Sequence, residues 1–326
     1  MMSELRQDPI THDWVIVAPE RAARPHDAEG GVAGCPFCPG NESLSPPPVD
    51  RIDGPDGRWQ VRAVPNKFAA LTADAPAGRS GDGWRRLGGF GRHEVIVETP
   101  DHVVAPGTLP ADQLRRVLEM YARRYRALAA ADPRLRQIVV FRNHGPRAGT
   151  SLRHPHSQVV ATPAVAPETR RRIADEIAFL DATGACGICH VLAQERTDGQ
   201  RIVLESSAFV TLAPFAPRGD FHLQIAPRRH VPTFAEAAPA ELDDLARHLA
   251  RVLGALHGEL DDPDYNLIIE TPPLDLVHRS ASHWFIEILP RLTTPAGFEL
   301  GARIAINSVT PERAASALRA RLPPEA

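Results

Sequence analysis

The chain has 326 residues, a formal net charge of −3 and 43% hydrophobic side chains, enough for a large core or two fused domains. This mild negative balance excludes polyanion binding by bulk charge, and no run approaches the roughly 18 apolar residues of a membrane span. The first residues, Met1-Met2-Ser3-Glu4-Leu5-Arg6, lack the apolar core of a secretory signal, so a cytoplasmic protein that engages neither nucleic acid nor membrane is expected.

In chain order, the first chemical feature is Cys35-Pro36-Phe37-Cys38, inside a Pro- and Gly-rich stretch that reads as loop. Cys186-Gly187-Ile188-Cys189 uses the remaining cysteines and leaves none for a disulfide framework. Each CxxC pair offers either half of a tetrahedral zinc shell or a redox dithiol. Between the pairs, His93 to Val103 reads as a strand ending in a turn and a histidine. Ala111 to Ala130 carries Leu114, Val117, Leu118, Tyr121, Tyr125 and Leu128 at helical steps, and Val139 to Asn143 is a strand. His154-Pro155-His156-Ser157-Gln158 opens the next strand. The strand pattern stops between Pro163 and Gly184, where a charged helix over Pro167 to Ala182 leads to the second CxxC.

The second half repeats this order. Phe221 to Val231 parallels His93 to Val103, a helix over Glu241 to Leu260 follows, Leu267 to Thr271 parallels Val139 to Asn143, and His283 to Ile288 parallels His154 to Val159. The expected fold is α+β, with tandem duplicated repeats at residues 1–165 and 166–326, antiparallel sheets and crossover helices. The match gathers Cys35, Cys38, His102 and His154 into one four-ligand set and Cys186, Cys189, His230 and His283 into another. Paired thiolates and imidazoles favour zinc, so two zinc ions per chain are expected.

In an extended segment His154, His156 and Gln158 line one face. Two nearby histidines can simply share a metal or sit satisfied on a strand. With His154 claimed by the first metal set, however, His156 remains for chemistry. A neutral imidazole attacks phosphorus and carries the group covalently, while the Gln158 amide donates to a non-bridging oxygen without adding a base. The second half has Phe285 and Glu287 at these positions, so catalysis is expected in the first repeat and both zincs are chiefly structural.

Several segments together resemble the galactose-1-phosphate uridylyltransferase family of the histidine triad superfamily, including its ADP-glucose phosphorylase branch. They are Asp8-Pro9-Ile10-Thr11, Asp13 to Arg21, Cys35 to Gly40, Val64-Pro65-Asn66-Lys67-Phe68, Thr99 to His102, Asn143-His144-Gly145 through Ser151, the His154 to Gln158 motif, and Gly297-Phe298-Glu299. The resemblance implies two histidine-triad-like repeats, with His156 as the nucleophile that holds the nucleotidyl group and Gln158 on the α-phosphate. It further implies that Asn143 and Ser151 contact phosphates, that Arg21 and Arg24 lie near the second phosphate, and that Asn66, Lys67 and Phe68 flank the nucleoside. Gly297, Phe298 and Glu299 match a loop that reaches the sugar from the other subunit, which implies a homodimer.

The implied reaction exchanges a nucleotidyl group between a nucleoside diphosphate sugar and a sugar 1-phosphate, of the UDP-glucose–hexose-1-phosphate uridylyltransferase type. Adenylyl transfer from ADP-glucose to phosphate is the alternative. A dinucleoside polyphosphate hydrolase would use the same His156, and a non-catalytic zinc scaffold would use the CxxC pairs alone. Gln158, standing where hydrolytic relatives carry a third histidine, suits transfer.

Overall fold

The computed structural model describes residues 3–23, 34–76, 78–80, 84–102 and 104–323. Strands β1 (Glu4–Gln7) and β2 (Trp14–Val17) form a small antiparallel sheet in the order β2-β1-β6-β5, joining two later strands, β5 (Arg79–Ser80) and β6 (Arg86–Gly88). The main sheet starts with β3 (Asp50–Asp53), β4 (Trp59–Pro65) and β7 (Arg92–Val97). Helix α1 (Ala111–Ala131), β8 (Gln137–His144) and β9 (His156–Thr162) complete the first half. Helices α2 (Pro167–Thr183) and α3 (Gly187–Asp198) lead to β10 (Ile202–Glu205), β11 (Phe209–Leu212) and β12 (Leu223–Pro227). Helix α4 (Pro239–Leu260), β13 (Tyr265–Glu270) and β14 (Phe285–Pro290) follow, then α5 (Gly297–Ala302) and α6 (Pro311–Arg321).

The duplication is visible as one ten-stranded antiparallel sheet in the order β10-β11-β12-β14-β13-β8-β9-β7-β4-β3. Its halves meet where β8 pairs with β13, Phe141 opposite Ile268. Helices α1 and α4 pack on each other over one face, as their apolar stripes require. Leu114, Val117, Leu118, Tyr121, Tyr125 and Leu128 of α1 share one core with Leu245, Leu249, Val252 and Leu256 of α4. Each such side chain contributes about 1.5–3 kcal/mol of burial.

The opposite face carries the candidate catalytic side chains. Strand β9 turns Val159 and Ala161 to the helices, so His156 and Gln158, on the other side of the pleat, face away from them. In the second half that face is covered by α3, whose Leu192 packs with Val210, Ala226 and Phe285. Neither α3 nor α6 has an apolar stripe to announce it. The buried residues of α6 are Ala314, Ala315 and Leu318, and α3 buries only Leu192 and Glu195.

Strand pairing corrects the register of the sequence repeat. Ile96 pairs with Ser157 in the first half and Ile225 with Ile286 in the second, both on the helix-covered face of β7 and β12. His93 therefore corresponds to His222, not to Phe221. Likewise Val140 pairs with Val159 as Leu267 pairs with Ile288, so Leu267 corresponds to Val140 and not to Val139. The connection from β12 to His230 is one residue shorter than that from β7 to His102, and a match anchored on the two histidines slides the strand by that residue. Because side chains alternate, such a slip exchanges the faces.

Candidate active site and metal centres

The first cluster is held by a knuckle at Cys35–Cys38. The Cys38 amide donates to Cys35 O at 3.3 Å, and the Asn41 amide to Cys38 O at 3.1 Å. Buried Arg62 donates to Pro36 O at 2.8 Å and to Ser45 Oγ at 3.0 Å, fixing the turn from below. Nδ1 of His102 lies 3.1 Å from Cys38 Sγ, and Nδ1 of His154 lies 3.7 and 3.6 Å from the two sulfurs. The four ligand atoms all fall within 4.8 Å of one another. His154 donates its Nε2–H to Thr99 O at 2.7 Å, which leaves Nδ1 as the donor nitrogen. Burial also pushes the His154 pKa down to about 4, keeping the ring neutral, as ligation requires.

The second cluster repeats the arrangement. Cys186 caps α3 and Cys189 lies in its first turn. Cys189 Sγ is 3.4 Å from Nδ1 of both His230 and His283, whose Nε2–H groups donate to Arg279 O at 2.7 Å and Pro227 O at 3.1 Å. Both predicted ligand sets are thus brought together. Two sulfurs and two imidazole nitrogens at this spacing fit a tetrahedral ion.

His156 begins β9 two residues beyond His154. Its Nδ1–H donates to His154 O at 2.8 Å, so Nε2 is the basic nitrogen of the neutral ring. Two cavities meet there. One, of about 150 Å³, is an apolar slot lined by Phe37, Val64, Phe68 and Leu152 together with Asn66, Lys67 and Gln158. The other, of about 330 Å³, is polar and lined by Asn143, Arg153, Asp262 and Asp264. His156 and Ser151 border both. Gly145, with φ of +81°, shapes the loop between β8 and β9; a Cβ there would overlap the Asp264 carboxylate, which accepts the Arg147 amide at 2.5 Å.

Arg21 donates to Phe68 O at 2.5 Å and so supports the slot's wall from outside. Arg24 lies outside the described residues. Gly297, Phe298 and Glu299 border neither cavity of their own chain. They form the exposed α5, where the Glu299 carboxylate accepts the amides of Ala296 at 3.0 Å and Ile306 at 3.2 Å.

Residues the sequence did not single out also shape the site. Glu98 and Arg142 form a fully buried ion pair on the wall of the polar cavity; Arg142 Nε lies 2.9 Å from Glu98 Oε1, which also accepts from Tyr121 OH at 2.8 Å. The Glu98 amide donates to Pro155 O at 3.1 Å, steadying the segment between the two histidines. His93 donates to Gln158 Oε1 at 2.8 Å. A correctly registered repeat would have drawn attention to it, since His222 answers it in the other half.

In the second half Arg172 lies 5.5 Å over the Phe285 ring and pairs with Glu270 at 2.8 Å, while Glu287 pairs with Arg218. The face used for the slot in the first half is closed here by side chains.

A galactose-1-phosphate uridyl transferase N-terminal domain model matches residues 1–166, and a domain of unknown function matches residues 91–324. ADP-glucose phosphorylase of Arabidopsis thaliana is 33% identical over 97% of this chain and 92% of its own length. Galactose-1-phosphate uridylyltransferase of Thermotoga maritima is 30% identical over 98% of both. The crystal structure of the Arabidopsis phosphorylase with bound ADP-glucose superposes with a TM-score of 0.80, at 33% identity and 98% coverage of each chain. By its sequence and by its fold, the chain belongs to the galactose-1-phosphate uridylyltransferase family.

Proposed function

We propose that the protein is a nucleotidyltransferase that works by double displacement through His156. Nε2 attacks the α-phosphorus of a nucleoside diphosphate hexose. The bond from that phosphorus to the bridging oxygen breaks, and hexose 1-phosphate leaves with the bonding electrons. A phosphate oxygen of the acceptor then attacks the same phosphorus and returns the imidazole to its neutral form. The observation that carries this reading is the His156 tautomer, with Nδ1–H on the His154 carbonyl and Nε2 left as the basic nitrogen of a residue that borders both an apolar and a polar cavity. The slot beside Asn66, Lys67 and Phe68 takes the nucleoside; Ser151, Asn143 and Gln158 surround the phosphates.

Zinc, held by Cys35/Cys38/His102/His154 and by Cys186/Cys189/His230/His283, would supply cross-links that fix the segments leading into β9 and β14. Glu299 with Gly297 and Phe298 completes the site of a second subunit in a homodimer, a reading supported by the exposure of Phe298, Leu300, Ile304 and Ile306 away from their own cavities.

The uridylyl reading, between UDP-glucose and hexose 1-phosphate, has the Thermotoga relative in its favour. Adenylyl transfer from ADP-glucose to phosphate is the second reading, favoured by the phosphorylase with bound ADP-glucose at 33% identity. Incubating the protein with UDP- and ADP-hexoses, with and without phosphate or hexose 1-phosphate, separates them. Stoichiometric release of hexose 1-phosphate without acceptor supports the covalent route, and release from no donor overturns it.

A further inference from the structure

His93 faces the same side of the sheet as Gln158 and is its diagonal neighbour, since His93 pairs with Val160 and Val95 with Gln158. Its Nδ1 accepts the Ala70 amide at 3.1 Å. A backbone donor cannot be turned round, so the single proton of the neutral ring is assigned to Nε2. Two carboxamides reach that nitrogen, Gln158 Oε1 at 2.8 Å and Asn66 Nδ2 at 3.0 Å. Asn66 Oδ1 is engaged by the Phe68 amide at 2.8 Å, which turns the Asn66 NH2 towards the ring. The oxygen that accepts from Nε2–H is therefore that of Gln158.

We infer that His93 is a positioning residue that holds the Gln158 carboxamide with its oxygen inward and its NH2 towards the reacting phosphate. The inference rests on the nucleotidyl transfer proposed above. A carboxamide has two ends of similar shape and opposite polarity. One donates to a non-bridging oxygen, and the other repels it. Without a donor at His93 both orientations are open. His93 also holds the loop beside the nucleoside, accepting the Ala70 amide at Nδ1 and the Asn66 backbone amide at its carbonyl oxygen at 2.8 Å, so one residue ties the nucleoside wall to the phosphate donor.

The second half repeats this geometry without the reaction. His222 Nδ1 accepts the Arg218 amide at 3.2 Å, and its Nε2 points at Glu287 from 3.6 Å. The repeat itself thus builds an imidazole with Nδ1 on a backbone amide and Nε2 aimed at the second residue after the nucleophile position. Glu287 is a carboxylate held by Arg218 and has no polarity to set. Only in the first half is the partner a group whose orientation matters.

The test compares His93→Phe, His93→Gln and His93→Glu by kcat and KM per folded molecule, and reads the His93 tautomer of the wild-type protein by histidine 15N NMR. The expected tautomer is Nε2–H. His93→Phe should lower kcat about 10- to 100-fold with a smaller change in KM, as loss of one aligned donor would. His93→Gln supplies an NH2 in place of Nε2–H and should recover to within about threefold of wild type, whereas the acceptor in His93→Glu inverts Gln158 and should be no better than Phe. Should His93→Phe fail to fold, the Gln and Glu pair carries the comparison. Equal activity of the Gln and Glu variants, near-wild-type activity of the Phe variant, or a proton on Nδ1 each overturns the inference. If the wild-type protein transfers no nucleotidyl group from any donor, the proposed function falls; the tautomer measurement needs no substrate and still decides the clamp.

Discussion

The carbonyl of His154 accepts the Nδ1–H of His156 at 2.8 Å. The backbone of a predicted metal ligand thereby chooses the tautomer of the imidazole two residues on. His156→Ala should abolish nucleotidyl transfer while leaving both metal clusters and the melting temperature nearly unchanged, because His156 lies outside both ligand sets. Turnover above about one per cent of wild type in a folded variant would remove it as nucleophile.

The two clusters make a stoichiometric claim of about two zinc ions per chain, one lost in Cys35→Ser and a different one in Cys186→Ser. Elemental analysis of protein produced with zinc checks this directly. One ion or fewer in the intact wild type would show that the four-ligand sets do not act as metal centres.

Although built alike, the clusters should differ in what their loss does to catalysis. His154→Ala removes a ligand from the segment that also aims His156, and a displacement of about 1 Å costs on the order of a hundredfold in rate. His283→Ala disturbs a strand carrying Phe285 and should lower stability while folded molecules keep turning over. Equal catalytic loss in both variants, measured against folded fraction, would make the second cluster part of the active centre.

The buried Glu98–Arg142 pair should be costly to break from one side. Arg142→Met leaves the Glu98 carboxylate without its cation and should destabilise the protein by about 3–5 kcal/mol in urea unfolding. Glu98→Gln combined with Arg142→Met should recover part of that loss. If the single variant unfolds like wild type, the pair contributes little to the wall of the polar cavity.

Acid should destabilise the fold through its neutral buried histidines. Burial holds His248 down to about 4, between Thr211 Oγ1 at 2.6 Å and Ser206 Oγ at 2.9 Å, and holds His222 at about 3. The unfolded chain binds these protons near pH 6.5, before the folded protein does. Their stabilisation is therefore complete above about pH 6.5 and is lost as pH falls through about 4, by about 3 kcal/mol for His248. His248→Gln should flatten the dependence of unfolding free energy on pH in that window, and an unchanged slope would contradict the assignment.

The sequence by itself determined the two Cys-Cys-His-His groupings, the place of His156 outside them and the duplication, because each rests on residue types that few roles can use. Two CxxC pairs with matching histidines specify two clusters that could hold a metal ion, and the stripes from Leu114 to Leu128 and from Leu242 to Leu256 specify two long helices. Only the tertiary structure decided the register of β7 against β12, since a one-residue difference in a connection is invisible to a match anchored on His102 and His230 yet exchanges the faces of a strand. That register revealed His93 as the counterpart of His222. It likewise took the packed sheet to join the repeats at β8 and β13 and to close the matching face of the second half with α3. Those outcomes depend on which faces find cover, and that is settled by contacts between residues far apart in the chain.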